Sequence, residues 1–508
     1  DSAFLAKYSG FDGIEVHAVH EGYLLDQFAL AVFNRRTDVY GGDLSARLRF
    51  ASEIVAAIKG ACGTDFPVSI RFSVKSYIKG INQGGLPGEE FVELGRDLEE
   101  GLEVAKILET AGYDAFSIDA GSYDSWYWAH PPMYFKDGLY LHLSEAVKKV
   151  VRVPVLVSGR MDNPDLASRS IAQGKTDALA LGRALLADPD LPNKIKRDNA
   201  QSIRPCLSCH DGCMGRLEKG IAISCAVNPS VGREISYVVQ PAPKMKKVVV
   251  VGGGPGGMEA AYVCSLRGHQ VTLIEKSDKL GGNLIPGSVP HFKRYSGALI
   301  RWFENELYRL KVDIYLNTLA TEDMIVHHKP DVLIIATGSQ PRTMSIAGAK
   351  DNIVFNASQV LLDESKAGQR VLVVGAGLVG CETALWLAVN GKQVTIVESA
   401  PYILGSPHPI PAMNHTMLKD LLAYNNVDII TGATLNSVAN STAIIGTKDG
   451  TIYIDVDTIV LSIGYLPNNQ LYQRLEGKFD QVYVIGDARK VDNIMNAIWD
   501  GYEIARSI

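Results

Sequence analysis

The chain has no block of basic residues and no apolar run long enough to cross a bilayer. Its 50 Lys and Arg face 56 Asp and Glu, so the net charge is −6, and this pattern does not favour nucleic acid or an anionic membrane as a partner. Glycines and Glu259 interrupt the most apolar stretch, residues 247–262, well short of the about 18 residues that a membrane helix needs. No charged-then-apolar signal segment opens the chain. We therefore expect a cytoplasmic protein.

The composition also lacks the features of a disordered chain, with 46% hydrophobic and 21% charged residues. At roughly 150 residues per domain, 508 residues predict about three domains. Cysteine is scarce outside one segment: Cys62, Cys264 and Cys381 stand alone, and the other four lie within 206–225. That clustering favours metal ligands over disulfides.

Residues 12–187 alternate short β-branched runs with helical patterns, which is typical of parallel βα units. In a TIM barrel the polar ends of such strands form the catalytic face. We count five units where a closed barrel needs eight, and an open sheet would leave two unpaired edges. We therefore expect about 100 further residues, carrying three more units, before Asp1 in the native protein. The five runs are Gly13–Val16, Pro67–Arg71, Ala115–Asp119, Pro154–Val157 and Ala178–Leu181.

The predicted fold is α/β: part of a TIM (β/α)8 barrel, then a cysteine segment, then two nested Rossmann-like domains. Gln240–Pro243 marks a linker before a new strand. Because Val482–Asp487 is the best partner of the first nucleotide-binding unit, we expect the second unit to be an insertion. The predicted domains are 1–200 (barrel), 201–243 (cysteine segment), 244–365 with 469–508 (first Rossmann-like domain) and 366–468 (second).

The first nucleotide-binding pattern follows the strand that begins at Val248. It has the GxGxxG glycines, and the next strand ends in an acidic residue at the expected spacing. The glycines allow a tight turn, close approach of the pyrophosphate and helix–strand contact, and the carboxylate binds the ribose. The alternative is a purely structural glycine turn. The pattern consists of Gly252, Gly254, Gly257 and Glu275.

Asp487, near the C-terminus, resembles the strand-end aspartate that holds the ribityl chain in two-dinucleotide flavoproteins. The resemblance implies FAD in the first fold. The alternative for this residue is a helix cap before Ala488.

The same pattern recurs from Val371, with Gly375, Gly377, Gly380 and Glu398. Two bound nucleotides are therefore predicted. A carboxylate at Glu398 with no adjacent arginine repels a 2′-phosphate, which favours NADH over NADPH at the second site.

Four thiolates, from Cys206, Cys209, Cys213 and Cys225, have a spacing that suits either a 4Fe-4S cluster or a tetrahedral zinc. The spacing alone does not choose between them. Zinc transfers no electrons, and the segment lies between a barrel and a nucleotide-binding module, so its position favours the 4Fe-4S cluster.

The barrel, the four cysteines and the two-nucleotide module together resemble 2,4-dienoyl-CoA reductase and its relatives, in which an old yellow enzyme barrel is fused to an iron-sulfur and FAD module. The resemblance covers essentially the whole chain. Within the group, residues 17–28 and 121–128 are most similar to clostridial bile-acid-inducible NADH:flavin oxidoreductases that act on 3-oxo-Δ4 bile acid conjugates.

The resemblance implies FMN in the barrel, with Arg71 near the flavin pyrimidine edge. There a cation would stabilise the negative charge of the reduced flavin. The alternative for Arg71 is an ion pair inside the barrel. The residues implied around the FMN phosphate are Gly159, Arg160, Gly182 and Arg183.

In old yellow enzymes a His-x-x-His pair polarises the substrate carbonyl and a tyrosine donates a proton. His17, His20 and Tyr23 follow this pattern, with Tyr23 as the expected donor. Glu21 lengthens the interval by one residue, so either the loop bulges or Glu21 displaces His20. The alternative for both histidines is a core position at a strand end.

Seven aromatic residues lie within 123–140 and are predicted to overhang the catalytic face. Their density suits a broad, flat substrate such as a steroid. The rival interpretation is a plug packed against a neighbouring domain. The seven are Tyr123, Trp126, Tyr127, Trp128, Tyr134, Phe135 and Tyr140.

The sequence thus predicts an NADH-dependent ene-reductase that acts on the C=C bond of an α,β-unsaturated carbonyl compound, such as a 3-oxo-Δ4 steroid or bile acid. Electrons would pass from NADH through FAD and the cluster to FMN. The alternatives are a 2,4-dienoyl-CoA or 2-enoate reductase, an amine-dehydrogenase-like enzyme and a non-catalytic electron carrier. The oligomeric state is left open, including a homo-oligomer.

Overall fold

The computed structural model describes residues 1–405 and 409–508, which separate into two units, 1–182 and 183–508. The sequence predicts that the first domain extends to residue 200, but Ala187 belongs to the hydrophobic core built around Val248 and Met258. Residues 183–200 therefore fold with the second unit. None of the helices in the described ranges has the length and hydropathy to span a membrane. The cytoplasmic location stays a prediction.

The first unit contains a five-stranded sheet in the order β1-β2-β5-β6-β7, in which every pair is parallel. Its strands lie where the sequence predicts the five β runs, and a short hairpin, β3–β4, follows β2. The strands are β1 (Ile14–Val19), β2 (Val68–Ser73), β3 (Ile78–Gly80), β4 (Gln83–Gly84), β5 (Ala115–Asp119), β6 (Val155–Val157) and β7 (Ala178–Leu179).

Helices alternate with these strands, and several begin at a capping side chain. Asp43 accepts the backbone N–H of Ala46, and Asp97 accepts that of Glu100, which satisfies donors that the first turn leaves unpaired. The helices are α1 (Ser2–Tyr8), α2 (Leu24–Ala29), α3 (Leu44–Cys62), α4 (Leu98–Ala111), α5 (Trp126–Ala129), α6 (Leu141–Lys148) and α7 (Pro164–Ala172).

The register of the sheet brings four polar residues to one edge. His17 of β1 lies opposite Arg71 of β2, and Ser73 at the end of β2 lies opposite Asp119 at the end of β5. Because parallel strands end at the same edge, these side chains share the face where TIM-barrel enzymes carry their chemistry.

The helices of the second unit include two that directly follow nucleotide-type glycine turns, α11 and α16. The helices are α8 (Arg183–Ala187), α9 (Leu191–Lys196), α10 (Met214–Leu217), α11 (Pro255–Leu266), α12 (Leu284–Gly287), α13 (Arg294–Arg309), α14 (Glu322–His328), α15 (Ala357–Leu362), α16 (Leu378–Val389), α17 (Ala412–Tyr424), α18 (Gln470–Leu475) and α19 (Ile494–Ser507).

Two parallel five-stranded sheets organise the second unit, with the orders β10-β9-β8-β11-β22 and β13-β20-β14-β15-β16. An antiparallel sheet, β17-β18-β19, and a pair, β12-β21, complete it. The strands are β8 (Lys247–Val251), β9 (Gln270–Ile274), β10 (Asp313–Tyr315), β11 (Val332–Ile335), β12 (Ser339–Pro341), β13 (Val354–Asn356), β14 (Arg370–Val374), β15 (Gln393–Glu398), β16 (Asp428–Thr431), β17 (Ala433–Ala439), β18 (Thr442–Thr447), β19 (Gly450–Asp455), β20 (Thr458–Leu461), β21 (Tyr465–Pro467) and β22 (Val482–Val484).

The chain leaves the first of these sheets, builds the second and then returns. The returning strand β22 pairs with β11, the arrangement that a nested insertion requires. The second sheet starts earlier than residue 366, because β13 pairs with β20. The mixed sequence of this short edge strand gives no periodic signal of that pairing.

Candidate active site and cofactor sites

Asp119 connects the groups at the strand edge of the first unit. Its buried carboxylate accepts a hydrogen bond from Arg71 Nε (2.6 Å) and one from Ser73 Oγ (3.0 Å), and its Oδ2 lies 2.9 Å from His20 Nδ1. Burial alone would raise the pKa of Asp119, but His20 and Arg71 outweigh it and lower the pKa. Asp119 therefore remains ionised and fixes both cations.

His17 and His20 form a pair with ring centroids 4.3 Å apart and planes at 81°. Burial, His20 and Arg71 lower the pKa of His17. Burial also acts to lower the pKa of His20, but Asp119 and Glu21 more than compensate, so that this pKa is raised. Of the two, His20 is therefore the one that favours the protonated form, and His17 the one that favours the neutral form.

Tyr23 immediately precedes α2, and its ring lies 5.2 Å from that of His17 and 5.4 Å from that of His20. Burial, Glu21 and Tyr123 raise the pKa of Tyr23. The phenol therefore keeps its proton throughout the neutral pH range. The structure thus brings all three predicted catalytic residues to one place.

The backbone at Glu21 shows how the loop accommodates its extra residue. It has a left-handed backbone (φ 54°) and is followed by Gly22 (φ 80°), so the loop bulges and His20 remains beside His17. Glu21 is 4% exposed, and its carboxylate lies 3.7 Å from His20 Nδ1 and 3.7 Å from His130 Nε2. Burial is the main cause of its raised pKa.

His20, Glu21 and Asp119 place ligand atoms within 4.8 Å of one another, a spacing that a metal ion could use. However, the Arg71 guanidinium already contacts the same Asp119 oxygen as His20. A further cation there would be repelled, so we interpret the group as a hydrogen-bonded charge network.

The aromatic segment divides into two parts. Tyr123, 50% exposed, stacks on Trp126 (5.2 Å, 13°) and meets Tyr23 edge-on at 5.7 Å. Tyr127 and Trp128 are instead buried: their polar atoms donate to the carbonyls of Gly84 and Gly85, at the end of the β3–β4 hairpin. The expectation that the whole segment overhangs the catalytic face is therefore wrong for these two side chains and for Phe135 and Tyr140, which are equally buried. The indole and phenol groups of Trp128 and Tyr127 are satisfied inside the fold.

The residues expected at the FMN phosphate lie at the ends of β6 and β7. Arg160 (φ 59°) is buried, with its guanidinium 3.4 Å from Asp137 and 3.6 Å from Asp162. An added Cβ at Gly182 would meet no protein atom within 4 Å, so space for a ligand exists there. Arg183 Nη1 lies 2.7 Å from His210 Nε2, which directs it to the cysteine segment. Its contact with phosphate stays a prediction.

The first glycine pattern has the geometry of a dinucleotide cleft. A Cβ at Gly252 would lie 2.2 Å from the Ala336 carbonyl oxygen, and one at Gly257 would lie 1.9 Å from that of Gly252, whereas Gly254 faces open space. Glu275 accepts the N–H of Gly253 (2.7 Å). Gly252 and Gly257 are thus packed against backbone, and Gly254 is open on the side where a pyrophosphate would lie.

Asp487 lies beside this cleft. Its carboxylate accepts hydrogen bonds from Ser339 Oγ (2.7 Å) and the N–H of Asp492 (3.1 Å), and burial raises its pKa. It lies in a short 3₁₀ turn after β22, at the end of a strand in the same sheet as β8.

The second glycine pattern repeats this geometry. A Cβ at Gly375 would lie 2.4 Å from the Ser462 carbonyl oxygen, one at Gly380 would lie 2.0 Å from that of Gly375, and Gly377 is open. Glu398 accepts the N–H of Ala376 and that of Ala400, both at 2.7 Å. The residues present therefore fit a second dinucleotide.

The four clustered cysteines line a single cavity together with Leu207, Ala226 and Val227. None of them forms a disulfide. Burial raises the pKa of Cys213 to about 11 and that of Cys225 to about 12. Such thiols lose their protons only when a metal supplies positive charge. Four sulfur donors around one apolar cavity fit a 4Fe-4S cluster.

A barrel-type sheet with a charged strand edge, a cavity of four cysteines and two dinucleotide clefts together define a flavin-dependent oxidoreductase. The comparisons agree with this class. Residues 1–202 match the NADH:flavin oxidoreductase / NADH oxidase family, and residues 246–501 match the pyridine nucleotide-disulphide oxidoreductases. The chain belongs to the NADH:flavin oxidoreductase / NADH oxidase family.

Its relatives include cinnamate reductase of Clostridium sporogenes, 52% identical, and NADH oxidase of Thermoanaerobacter brockii, 40% identical; each alignment covers 100% of this chain and 76% of the relative. Among solved structures, the 2-naphthoyl-CoA reductase complex with 2-naphthoyl-CoA is 33% identical with a TM-score of 0.91, covering 100% of this chain and 75% of that one.

These findings confirm the predicted fold class and the resemblance to the iron-sulfur flavoenzymes. The chain is an oxidoreductase that acts on activated C=C bonds, and its cofactors are FMN, FAD, a 4Fe-4S cluster and NADH. Sequence reasoning missed Asp119 and His130. The acidic residue at the end of a predicted strand, Ala115–Asp119, is the available signal for Asp119. His130 had none.

Proposed function

We propose that the chain reduces, with NADH, the C=C bond of a flat, conjugated α,β-unsaturated carbonyl compound, and that an aryl-substituted enoate is the first candidate substrate. The observation that carries this proposal is the convergence of His17, His20 and Tyr23 beside the exposed Tyr123–Trp126 stack. The glycine turns would hold FAD and NADH and the four cysteines the 4Fe-4S cluster; when bound, these groups and FMN would supply the electrons and the hydride for the reduction.

His17 and His20 bind the carbonyl oxygen of the substrate. His20 is held as a cation by Asp119, 2.9 Å away, so it stabilises the negative charge that develops on this oxygen as the double bond is reduced. His17 adds a neutral donor. Because Asp119 also holds Arg71, the positive charges at this edge are fixed before substrate arrives.

Tyr23 donates the proton to the α-carbon. Its raised pKa keeps the phenol protonated, and the carbanion character of an enolate makes it basic enough to receive the proton. Glu21 and Tyr123 contribute to that raised pKa, and the Tyr123 ring meets the Tyr23 ring edge-on at 5.7 Å, which limits the orientations of the phenol.

Tyr123 and Trp126 provide a flat aromatic surface beside the proton donor. The ring centroids of Tyr23 and Tyr123 are 5.7 Å apart, and those of Tyr123 and Trp126 are 5.2 Å apart. Such a surface favours a planar conjugated substrate over a short acyl chain. The 52% identity to a cinnamate reductase supports an arylacrylate. A 3-oxo-Δ4 steroid or bile acid conjugate is the second candidate, because the same exposed stack suits a polycycle.

Anaerobic NADH oxidation with a panel of acceptors tests the proposal. We expect trans-cinnamate or its thioester to be reduced to the saturated acid, identified by mass, with crotonate much slower. A 3-oxo-Δ4 steroid that outpaces the arylacrylate would favour the second candidate. If none of the enoates or enones oxidises NADH while a secondary amine reduces the flavins, the enzyme is an amine dehydrogenase and the proposal is wrong.

A further inference from the structure

Glu259, in α11 of the second unit, is a buried carboxylate with no hydrogen-bond donor among the described residues. It is 0% exposed, and neither of its oxygens has a hydrogen-bond partner. The cation that faces it, Arg204, keeps Nη1 3.8 Å from Oε1, beyond hydrogen-bond distance. An ionised carboxylate in such a place is costly. Burial accordingly raises the pKa of Glu259 to about 7, although Arg204 opposes the shift.

Arg204 connects Glu259 with the cysteine cavity. Its guanidinium lies 4.2 Å from the ring centre of Trp302 and donates to the carbonyl of Val227, which lines the cavity. The charge of Cys225 also acts on it. One cation therefore lies between a titratable carboxylate and the backbone that lines the cysteine cavity.

The other ionisable groups around Glu259 have fixed charges in the neutral pH range. Tyr502 of α19 has its pKa raised to about 12 by burial and Glu259, and Tyr262 of α11 likewise has a raised pKa, mainly through burial. Arg506 lowers the pKa of Tyr502, against these larger effects. Behind Tyr262, Glu306 of α13 is paired with Arg309 at 2.6 Å.

We propose that Glu259 takes up the proton that compensates the electron gained by the 4Fe-4S cluster, with Arg204 as the charge through which the two are coupled. In the reduced state one electron, supplied by NADH through FAD, resides on the cluster, and the Glu259 carboxylate has combined with one solvent proton to give the carboxylic acid. When the electron leaves, the proton leaves as well.

A purely structural ion pair would have a different geometry. Structural buried carboxylates are held by short hydrogen bonds, as Asp119 is in the first unit at 2.6 and 3.0 Å. Glu259 has none, so little holds its charge and a small change in local potential shifts its protonation. One added negative charge at the cluster favours the neutral acid.

The test is the midpoint potential of the cluster, followed by electron paramagnetic resonance in the holoenzyme across the neutral pH range. Above about pH 7 we expect the equilibrium constant for reduction of the cluster to fall up to tenfold per pH unit. For one electron accompanied by one proton this is a drop of ~59 mV in the midpoint potential. Glu259→Gln should remove this slope. Glu306→Gln, which deletes a buried carboxylate of a neighbouring helix, should keep it. A flat wild-type profile, or a slope retained in Glu259→Gln, overturns the proposal.

Redox-difference infrared spectra give a second readout. Reduction of the wild-type protein should produce the C=O band of a protonated carboxyl group, and this band should be absent from Glu259→Gln. If that variant fails to take up the cluster, Asp211→Asn, which removes the carboxyl group beside Cys209, should keep both the slope and the band. Their loss in Asp211→Asn would overturn the proposal. Neither measurement contains an enone, so failure here is distinct from failure of the proposed substrate.

Discussion

The strand edge of the first unit and the glycine turns of the second unit are built in different ways. The first is a network of side chains from several elements, in which Asp119 holds Arg71 and His20 at once. The second is a backbone structure, repeated twice, with two crowded glycines and one open glycine in each copy. A side-chain network fails when any one of its members is removed. A glycine turn fails when an added side chain fills the space that the backbone or the ligand needs.

This difference predicts that substitutions in the two regions impair different half-reactions. A change at the strand edge should impair the reaction with the C=C substrate and leave the reaction with NADH intact. A change at the second glycine turn should do the reverse. The predictions below test this contrast, beginning with the largest effect.

Asp119→Asn should have the greatest effect, because it leaves two cations beside a neutral amide. Breaking a buried ion pair costs about 3–5 kcal/mol, and we expect enoate reduction to fall below detection. Denaturant unfolding and enoate-dependent NADH oxidation measure the two losses. Asp114→Asn is the matched control, since Asp114 precedes the same strand at its opposite end and pairs with Lys59. Equal loss of enoate reduction in both variants would contradict the account.

At the second glycine turn, Gly377→Ala should raise the Kd for NADH roughly tenfold or more, about 1.4 kcal/mol per factor of ten. The backbone there (φ −68°) tolerates alanine, and the added Cβ fills only open space. Thermal stability should therefore stay unchanged. Gly380→Ala should behave differently and lower the melting temperature, because its Cβ would lie 2.0 Å from a carbonyl oxygen. If Gly377→Ala binds NADH normally, the cleft lies elsewhere.

The two regions also differ in how far the sequence predicts them. Glycine turns and clustered cysteines depend on short local spacings, so Gly252–Glu275, Gly375–Glu398 and the four cysteines can be identified directly. Asp119 and His130 acquire their partners only when separate βα units meet, and local pattern does not encode that. The left-handed backbone at Glu21 is likewise set by tertiary contacts, because a non-glycine residue rarely adopts it alone.

The aromatic segment provides a smaller contrast within the first unit. Trp126→Ala should raise KM for the enoate roughly tenfold with little loss of stability, because Trp126 is half-buried in the exposed stack. Trp128→Ala should instead cost about 3–5 kcal/mol of unfolding free energy, since its ring stacks on Tyr77 at 3.5 Å. Unfolding curves and Michaelis constants separate the two. If Trp128→Ala raised KM for the enoate without lowering stability, the assignment of Trp126 to the substrate surface and of Trp128 to the core would be wrong.

The smallest predicted effect concerns pH. The pKa of His20 is raised in the folded protein, so its charge is fully present below the unfolded value of about 6.5 and is lost as pH rises through the higher folded pKa. Enoate reduction and stability should both decline several-fold at most on that alkaline limb. His20→Gln should lack the limb, which pH profiles of kcat/KM would detect. An unchanged limb in this variant would assign the titration to another group.

The most direct test compares both half-reactions anaerobically in the wild-type protein, Tyr23→Phe and Gly377→Ala by rapid mixing. The account predicts that Tyr23→Phe accepts electrons from NADH at the wild-type rate but reoxidises with the enoate about 10²–10⁴-fold more slowly, the usual contribution of a general acid. Gly377→Ala should be slow with NADH only and should reoxidise normally after chemical reduction. Normal reoxidation of Tyr23→Phe by the enoate would contradict the assignment of the proton donor and of the active site around it.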